Sequence, residues 1–283
     1  MPGSKLLARI QEISEKAHLG AVAVAFHDFE SALRFSYQGE RSFHAASTFK
    51  AALLFALFKA AEEGAIRLDD HLQVRNRFVS IADGGIFRID REHDGDSSVH
   101  RSIGRSLPVL QLARAMIVRS SNLATNLLLD YLTLDFVRKA LSATGLTGVE
   151  VRRGVEDLAA FEQGLCNEAT AEGLVGLFHL FLDERHLSEA SRQQALDILF
   201  AQEFRSMLPA RLPEDIRIAH KTGEISTHCH DAGIVFPEGR RPYVVAIMTE
   251  TRPETEKRVK AVAEISGAVY RYLVGSAREE RAP

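Results

Sequence analysis

Ser47 and Lys50 begin a stretch with the composition of a catalytic helix. A hydroxyl and an amine three positions apart on a helix lie roughly 5–6 Å apart on one face. The amine can therefore take the proton of the hydroxyl or stabilise the alkoxide. The segment that follows, residues 51–58, is apolar nearly all round, which predicts a helix buried on every side and a rigid mount for the site. The alternative is an ordinary helix start with Ser47 as N-cap, because Ser-x-x-Lys is common by chance.

Ser120 and Asn122 lie between two stretches of helical periodicity, in the segment Arg119-Ser120-Ser121-Asn122. Side chains two positions apart on a helix point away from each other. Both can enter one cleft only if the helix is interrupted, so the spacing predicts a short non-helical break. A simple helix-helix turn is the alternative, since serine and asparagine are common turn residues.

Lys221-Thr222-Gly223 follows at the end of a predicted strand. Lys221 and Gly223 share one face of that strand, and a glycine there lets another backbone or a ligand approach closely. The order Ser-x-x-Lys, Ser-x-Asn, Lys-Thr-Gly is much more specific than any one of the three patterns alone.

Strands are predicted only near the two ends of the chain, with helical periodicity between them. A helix from Ser4, with apolar positions to Ala17, precedes the first strands, and a last helix begins at Thr251 with Glu254 completing a capping box. The predicted strands are residues 21–27, 32–37, 41–44, 215–222, 232–236 and 243–249.

This order of elements predicts an α+β fold. One antiparallel sheet is assembled from both ends and flanked by the terminal helices, with an all-helical domain inserted. The predicted division is residues 1–64 with 208–283 for the sheet domain and 65–207 for the helical domain, with the active site in the cleft between them.

The three patterns in this order resemble the signature of class A β-lactamases and penicillin-binding proteins. The resemblance extends from about Gly20 to Leu273, and residues 115–128 resemble the second motif of that superfamily in its full setting. It implies a β-lactamase/transpeptidase-like fold and a serine hydrolase that opens β-lactam amides through an acyl-serine intermediate.

The resemblance also implies a role for each motif residue. Ser47 would be the acylated nucleophile, Lys50 its activating amine, and Ser120 the donor of a proton to the leaving nitrogen. Lys50 would be kept near neutral by a second cation close by.

Substrate binding would fall to the remaining motif positions. Asn122 would hold the side-chain amide of the substrate, and Lys221, Thr222 and Gly223 would bind its carboxylate. The backbone N–H groups of Ser47 and Glu224 would form the oxyanion hole.

The chain departs from the class A pattern at the carboxylate that activates water for deacylation. In that class it lies four residues before an asparagine, but here Gln163 stands four before Asn167, and glutamine cannot act as a base. Glu162 is one position too early and Glu156 is further off. We expect Glu162 to serve if a one-residue bulge brings it in; otherwise the acyl-enzyme should accumulate.

The second motif also differs, because Ser121 stands where class A enzymes usually have aspartate. The arginine that often assists Lys-Thr-Gly has no clear counterpart, and Arg252 is a remote candidate. His220, next to Lys221, lines the cleft or packs inside.

No metal or cofactor is predicted. The cluster His93, Asp94, Asp96 and His100 matches no ligand template and favours a solvated loop. His228 and His230 have no evident third ligand, which favours ordinary strand residues.

Composition restricts the partners. The chain has 283 residues, 46% hydrophobic and 26% charged, with a formal net charge of −3 and no basic-aromatic run, which argues against a nucleic-acid partner. No apolar run approaches the roughly 20 residues that span a bilayer. Cys166 and Cys229 can be free or paired. As written, the sequence carries no signal peptide and predicts a cytoplasmic protein, or a periplasmic or secreted one if a leader was removed.

The predicted partner is therefore a small β-lactam or related acyl compound. Two other functions stay open: a penicillin-binding D-alanyl peptidase or cytoplasmic esterase with the same serine and lysine, and a non-catalytic binding module on a degenerate site. The intact residues at all three motifs argue against the binding module.

Overall fold

The computed structural model describes residues 3–251 and 256–275 and contains both helices and strands. In chain order the strands are β1 (Ala21–Asp28), β2 (Arg34–Tyr37), β3 (Phe43–His44), β4 (His71–Gln73), β5 (Phe78–Val79), β6 (Ile86–Phe87), β7 (Ser106–Pro108), β8 (Val149–Glu150), β9 (Glu168–Ala169), β10 (Arg217–Ile225), β11 (His228–Phe236) and β12 (Tyr243–Glu250). The helices are α1 (Ser4–Ala17), α2 (Lys50–Glu62), α3 (Ser97–His100), α4 (Val109–Val118), α5 (Asn122–Leu132), α6 (Leu134–Ser142), α7 (Leu158–Glu162), α8 (Ala171–Leu180), α9 (Glu189–Phe200) and α10 (Glu256–Tyr270). Short 3-10 turns cover Ala46–Phe49 and Leu208–Arg211.

The main sheet is antiparallel and takes strands from both ends of the chain, as predicted. Its five strands lie in the order β10-β11-β12-β1-β2. Strands β1, β11 and β12 are buried on both faces, which explains the nearly continuous apolar sequences of β1 and β12. The predicted α+β fold of β-lactamase/transpeptidase type is confirmed.

Helices cover the two faces of this sheet. On one face α1 and α10 pack together over a core that includes Ile10, Val24 and Ile265. On the other face, α8 contacts β1 and β12. Residues 53–58 of α2 are all fully buried, which confirms the prediction of a helix buried on every side.

Two strands extend three or more residues past a predicted end. Strand β10 continues to Ile225, so Lys221-Thr222-Gly223 lies inside the strand rather than at its end. Strand β11 begins at His228, four residues before the predicted start, because Ile225 pairs with His228 directly across the turn. The hydrophobic pattern did not predict the start of β11 because residues 228–231 include two histidines and an aspartate.

The segment between the two groups of long strands is mainly helical, as predicted, but also contains short strand pairs. These are β4 with β7, β5 with β6, and the small sheet β3-β9-β8. The last of these sheets joins the residues before Ser47 to the segment around Asn167, since Phe43 pairs with Ala169.

Other sequence predictions have mixed outcomes. Thr251 ends the first described range and Glu254 lies outside the described residues, so the predicted capping box is not described. Cys166 and Cys229 are both free thiols. Within residues 3–251 and 256–275, no helix is long and apolar enough to cross a bilayer.

Candidate active site

Ser47 lies in the 3-10 turn that leads into α2. The residue before it, Ala46, has φ +47°, in the left-handed region that a non-glycine residue rarely occupies. His44 Nδ1 accepts a hydrogen bond from Ala46 N at 3.0 Å and so supports this turn. The helix begins only at Lys50 and Ser47 makes no capping bond, so the N-cap alternative is wrong. Within the described part of the chain, no hydrogen bond engages the half-buried Ser47 hydroxyl.

Lys50 is fully buried and its amine faces the second motif. Nζ donates to Ser120 O at 2.8 Å, Ser120 Oγ at 3.1 Å and Asn122 Oδ1 at 2.8 Å. Burial lowers the pKa of Lys50 well below its ordinary value, and the charge of Lys221 lowers it further, while Asp94 and Glu156 oppose the shift. An amine in this setting releases its proton easily, which a base for a serine hydroxyl requires.

Ser120 is the point where the two lysines meet. Its Oγ accepts from Lys50 Nζ and from Lys221 Nζ, each at 3.1 Å. Helix α4 ends at Val118 and α5 begins at Asn122, and Ser120 itself has φ +60°. The predicted break is therefore confirmed. Because both acceptor positions of the hydroxyl are used, its own proton is left to point elsewhere.

Lys221 is fully buried in β10. Its Nζ also donates to Thr222 O at 2.9 Å. Burial lowers the pKa of Lys221 to about 7, and Asp231 opposes this shift. His220 does not line the cleft, because its ring is fully buried with Nδ1 2.9 Å from Asp231 Oδ1.

Gly223 brings β10 against the turn of Ser47. A Cβ at Gly223 would lie 2.9 Å from Thr48 Cγ2 and 3.1 Å from Ala45 O, both too close for ordinary contact. The glycine thus allows the close backbone approach that the sequence indicated. Next to it, the Glu224 carboxylate accepts from the buried Arg258 at 3.2 Å.

Glu156 is the carboxylate of the 150–167 loop that reaches the site. Its Oε1 accepts from Asn122 Nδ2 at 3.1 Å and its Oε2 from Asp90 N at 2.9 Å. Asn126 holds the adjacent backbone, with its side-chain amide bonded to both Val155 N and Val155 O. Glu162 instead lies exposed at the end of α7, and no hydrogen bond or ion pair joins it to the described residues of the site.

The position four residues before Asn167 did not indicate Glu156, because Asn167 binds the backbone at the start of the loop. Its Oδ1 accepts from Arg152 N at 2.7 Å and Arg153 N at 3.0 Å, so it fastens the start of the loop. The sequence does contain one signal for Glu156, because it is an acidic residue two positions after Gly154 in a segment predicted to be a loop.

Asp94 is buried beneath the second motif, so the prediction of a solvated loop is right for His93, which is 76% exposed, but wrong for Asp94, Asp96 and His100. The side chain of Asp94 is 0% exposed and its oxygens accept from Asn122 N at 3.0 Å, Leu123 N at 2.9 Å and Ser121 Oγ at 3.3 Å. His100 Nε2 lies 2.9 Å away. The carboxylate therefore fixes the first turn of α5, where unpaired N–H groups need acceptors.

His230 is unsuited to metal binding because both ring nitrogens are occupied. Thr249 N donates to Nδ1 at 3.1 Å, and Nε2 lies 3.0 Å from His44 O. Burial lowers the pKa of His230 to about 3, so the ring stays neutral. Across residues 3–251 and 256–275, no group of three or more metal-ligating side chains is found. Arg252 lies outside the described residues.

A model of the Beta-lactamase enzyme family matches residues 5–273 of the chain. The chain belongs to the Beta-lactamase enzyme family. Beta-lactamase L2 of Stenotrophomonas maltophilia is 27% identical over 277 residues, which cover 92% of this chain and 84% of that protein. A beta-lactamase of Streptomyces fradiae is 28% identical over 232 residues, covering 71% and 74%.

Solved structures of similar fold include both β-lactamases and a penicillin-binding protein. The structure of PBP-A has a TM-score of 0.80 and 25% identity, covering 98% of this chain and 97% of that one. A variant of the last common ancestor of Gram-negative bacteria beta-lactamase class A, bound to 5(6)-nitrobenzotriazole as a transition-state analogue, has a TM-score of 0.82 and 26% identity, covering 96% and 100%.

Within this family, the chain keeps all three predicted motifs in one site. The structure brings together Ser120, Asn122 and Lys221 around Lys50, one turn of chain from Ser47. The sequence predictions name Glu156 and Asp94 but place neither in the site, because both lie in loops where hydrophobic periodicity gives no signal.

Proposed function

We propose that the chain is a serine hydrolase of class A β-lactamase type, which opens the amide of a β-lactam through an acyl-serine intermediate. One observation carries the proposal: the amines of Lys50 and Lys221 both bond to Ser120 Oγ beside the turn of Ser47. This places a base, a proton relay and a cation for a carboxylate in one place. The proposed partner is thus a small acyl compound with a carboxylate.

Acylation begins with Ser47. Lys50, in its neutral form, takes the proton of the Ser47 hydroxyl as the oxygen attacks the carbonyl carbon. The N–H groups of Ser47 and Glu224 stabilise the oxyanion, a contribution of about 3 kcal/mol for each such donor. Ser120 then passes its proton to the leaving nitrogen and recovers one from Lys50. Lys221, Thr222 and Gly223 hold the substrate carboxylate, and Asn122 holds its side-chain amide.

Deacylation is assigned to Glu156. A carboxylate held by Asn122 and Asp90 and close enough to influence Lys50 is well placed to activate a water for attack on the ester. A base at this position would allow the acyl-enzyme to be hydrolysed. It therefore favours a hydrolase over a protein that remains acylated by the drug. It replaces Glu162, which is exposed.

A second candidate keeps the same serine and lysine but releases the acyl group poorly, as in a penicillin-binding D-alanyl peptidase or an esterase. The similarity to PBP-A favours it. A non-catalytic binding module is the weakest candidate, since Lys50, Ser120 and Lys221, one residue from each motif, are joined by hydrogen bonds in one site.

The test is to incubate the protein with a penicillin and with a chromogenic cephalosporin, following both product and intact mass, with Ser47→Ala as control. Sustained product release that Ser47→Ala abolishes supports the hydrolase. A persistent mass increase equal to the drug supports the penicillin-binding alternative. No adduct and no product, together with activity on simple esters, supports the esterase, and silence in every assay leaves the binding module.

A further inference from the structure

Arg153 is a buried cation that forms no direct ion pair with any described residue, although Asp157 and Cys166 favour its charged form from a longer distance. Its side chain lies over the ring of Phe161, with the guanidinium carbon 5.2 Å from the centroid, and the residue is only 8% exposed. Nη1 donates to Gly154 O at 3.0 Å, while Nε has no hydrogen-bond partner among the described residues. None of the ion pairs formed by those residues includes Arg153. Buried guanidinium groups are normally paired, because an uncompensated charge is costly to remove from water.

The nearest ring nitrogen to Arg153 is another donor. His44 Nδ1 accepts from Ala46 N at 3.0 Å, so in the neutral ring the proton is on Nε2. That Nε2 lies 3.5 Å from Arg153 Nη2. Burial and, to a smaller extent, the charge of Arg153 lower the pKa of His44 to about 4. Two N–H donors therefore converge, and no described residue places an acceptor between them.

We propose that Arg153 and His44 form a subsite for a small carboxylate or similar oxyanion. One anionic oxygen can accept from two nitrogens 3.5 Å apart, and the free Nε of Arg153 provides a further donor. An anion there would also relieve the buried charge. The subsite is open at one side, where His44 is half-buried and Phe161 is 46% exposed.

The position of the subsite connects it with catalysis. His44 lies three residues before Ser47 and supports its turn, and Arg153 lies three residues before Glu156. Two sources of the carboxylate fit this position: the acyl side chain of the substrate, which rests on the proposed function, and a free small anion, which does not. The chemistry of recognition is the same for both.

The first experiment tests anion binding without any need for activity. The ring signals of His44 are followed by NMR during a formate titration at constant ionic strength, in the unaltered protein and in Arg153→Gln. We expect a saturable shift whose apparent Kd is weakened about tenfold or more in Arg153→Gln. Arg185→Gln is the matched control, since Arg185 is 77% exposed and pairs with Asp183.

Absence of a saturable shift in the unaltered protein, or an equal response in Arg153→Gln, would overturn the subsite. If Arg153→Gln does not fold, Arg153→Lys serves instead, because it keeps the charge and loses the planar fork. Its formate affinity should lie below that of the unaltered protein.

The second experiment identifies the source of the carboxylate. Benzylpenicillin and carboxybenzylpenicillin differ by one side-chain carboxylate, and their rates of Ser47 acylation are compared by mass. If the substrate occupies the subsite, Arg153→Gln lowers the ratio of the carboxybenzyl rate to the benzyl rate about tenfold. An unchanged ratio with an intact formate response assigns the subsite to a free anion. If neither penicillin acylates Ser47, the proposed function fails while the formate titration still decides the subsite.

Discussion

Asn122 Nδ2 lies 3.1 Å from Glu156 Oε1. This hydrogen bond joins the second motif to the 150–167 loop, in which the sequence did not identify the carboxylate that reaches the site. The same Asn122 accepts from Lys50 through its Oδ1 at 2.8 Å. Asn122 therefore connects the amine of Lys50, which is assigned to acylation, with the carboxylate of Glu156, which is assigned to deacylation. The two hydrogen bonds also fix which end of the Asn122 amide faces each group.

The first prediction concerns the two glutamates of the loop. Glu156→Gln should slow turnover of a penicillin by about 10²-fold or more, because a positioned general base contributes that much. The acyl-enzyme should then persist in intact mass spectra. Glu162→Gln, on the same loop but exposed, should turn over at nearly the unaltered rate. The reverse result would return the role to Glu162.

The second prediction is a pH dependence of stability that arises from Lys221. Its pKa is about 7 when folded against 10.5 ordinarily, so between these values the unfolded chain binds a proton that the folded chain does not. The contribution of Lys221 to the free energy of unfolding should therefore rise from pH 7 towards pH 10.5. Below pH 7 Lys221 is protonated in both the folded and the unfolded chain, so its buried charge destabilises the fold to the full extent.

Lys221→Met removes this dependence. The variant should be more stable than the unaltered protein at pH 6, and the difference should shrink by pH 9 in urea unfolding. Lys5→Met, at an exposed position, is the control and should show no such trend. A stability difference that stays constant with pH would contradict the assignment.

The third prediction tests the close approach at Gly223. Gly223→Ala places a Cβ 2.9 Å from Thr48 Cγ2 and should destabilise the fold by about 1–3 kcal/mol, the usual cost of overpacking. It should also slow acylation, because the turn of Ser47 must move. Gly275→Ala, whose added methyl group meets no described atom within 4 Å, provides the comparison. Equal melting temperatures for the two variants would show that the turn yields without cost.

The fourth prediction concerns Asp94. Asp94→Asn should destabilise the protein by about 1–3 kcal/mol, because the amide has one acceptor oxygen for the donors that the two carboxylate oxygens now share. The rate of acylation should fall with it, since the backbone of Asn122 loses an acceptor. Both quantities are measured by denaturant unfolding and by mass.

A compensating change at Ser121 sharpens that test. Ser121 Oγ is 3.3 Å from Asp94 Oδ2, so Ser121→Asp alone would bring two carboxylates together and destabilise the protein. In the double variant with Asp94→Asn, the new carboxylate should restore part of the stability and of the acylation rate. Strict additivity of the two losses would show that the positions act independently.

Much of the fold and part of the site followed from local sequence. The alternating and continuous apolar segments located the strands at both ends, and the uniform apolarity of residues 51–58 gave a fully buried helix. The break at Ser120 followed from the two-residue spacing of Ser120 and Asn122. The three motifs in their fixed order indicated the family. Their residue types could be recognised from sequence because each motif is only three or four residues long.

The tertiary structure decided which distant groups share the site. Glu156 rather than Glu162 reaches Asn122 because Asn126 and Asn167 fasten the loop from different sides, and neither contact leaves a periodic pattern. Asp94 is buried for a similar reason, since the N–H groups of α5 that donate to its carboxylate lie 28 and 29 residues away in the chain. Burial and neighbouring charge, which set the pKa values of Lys50 and Lys221, exist only once the chain has folded.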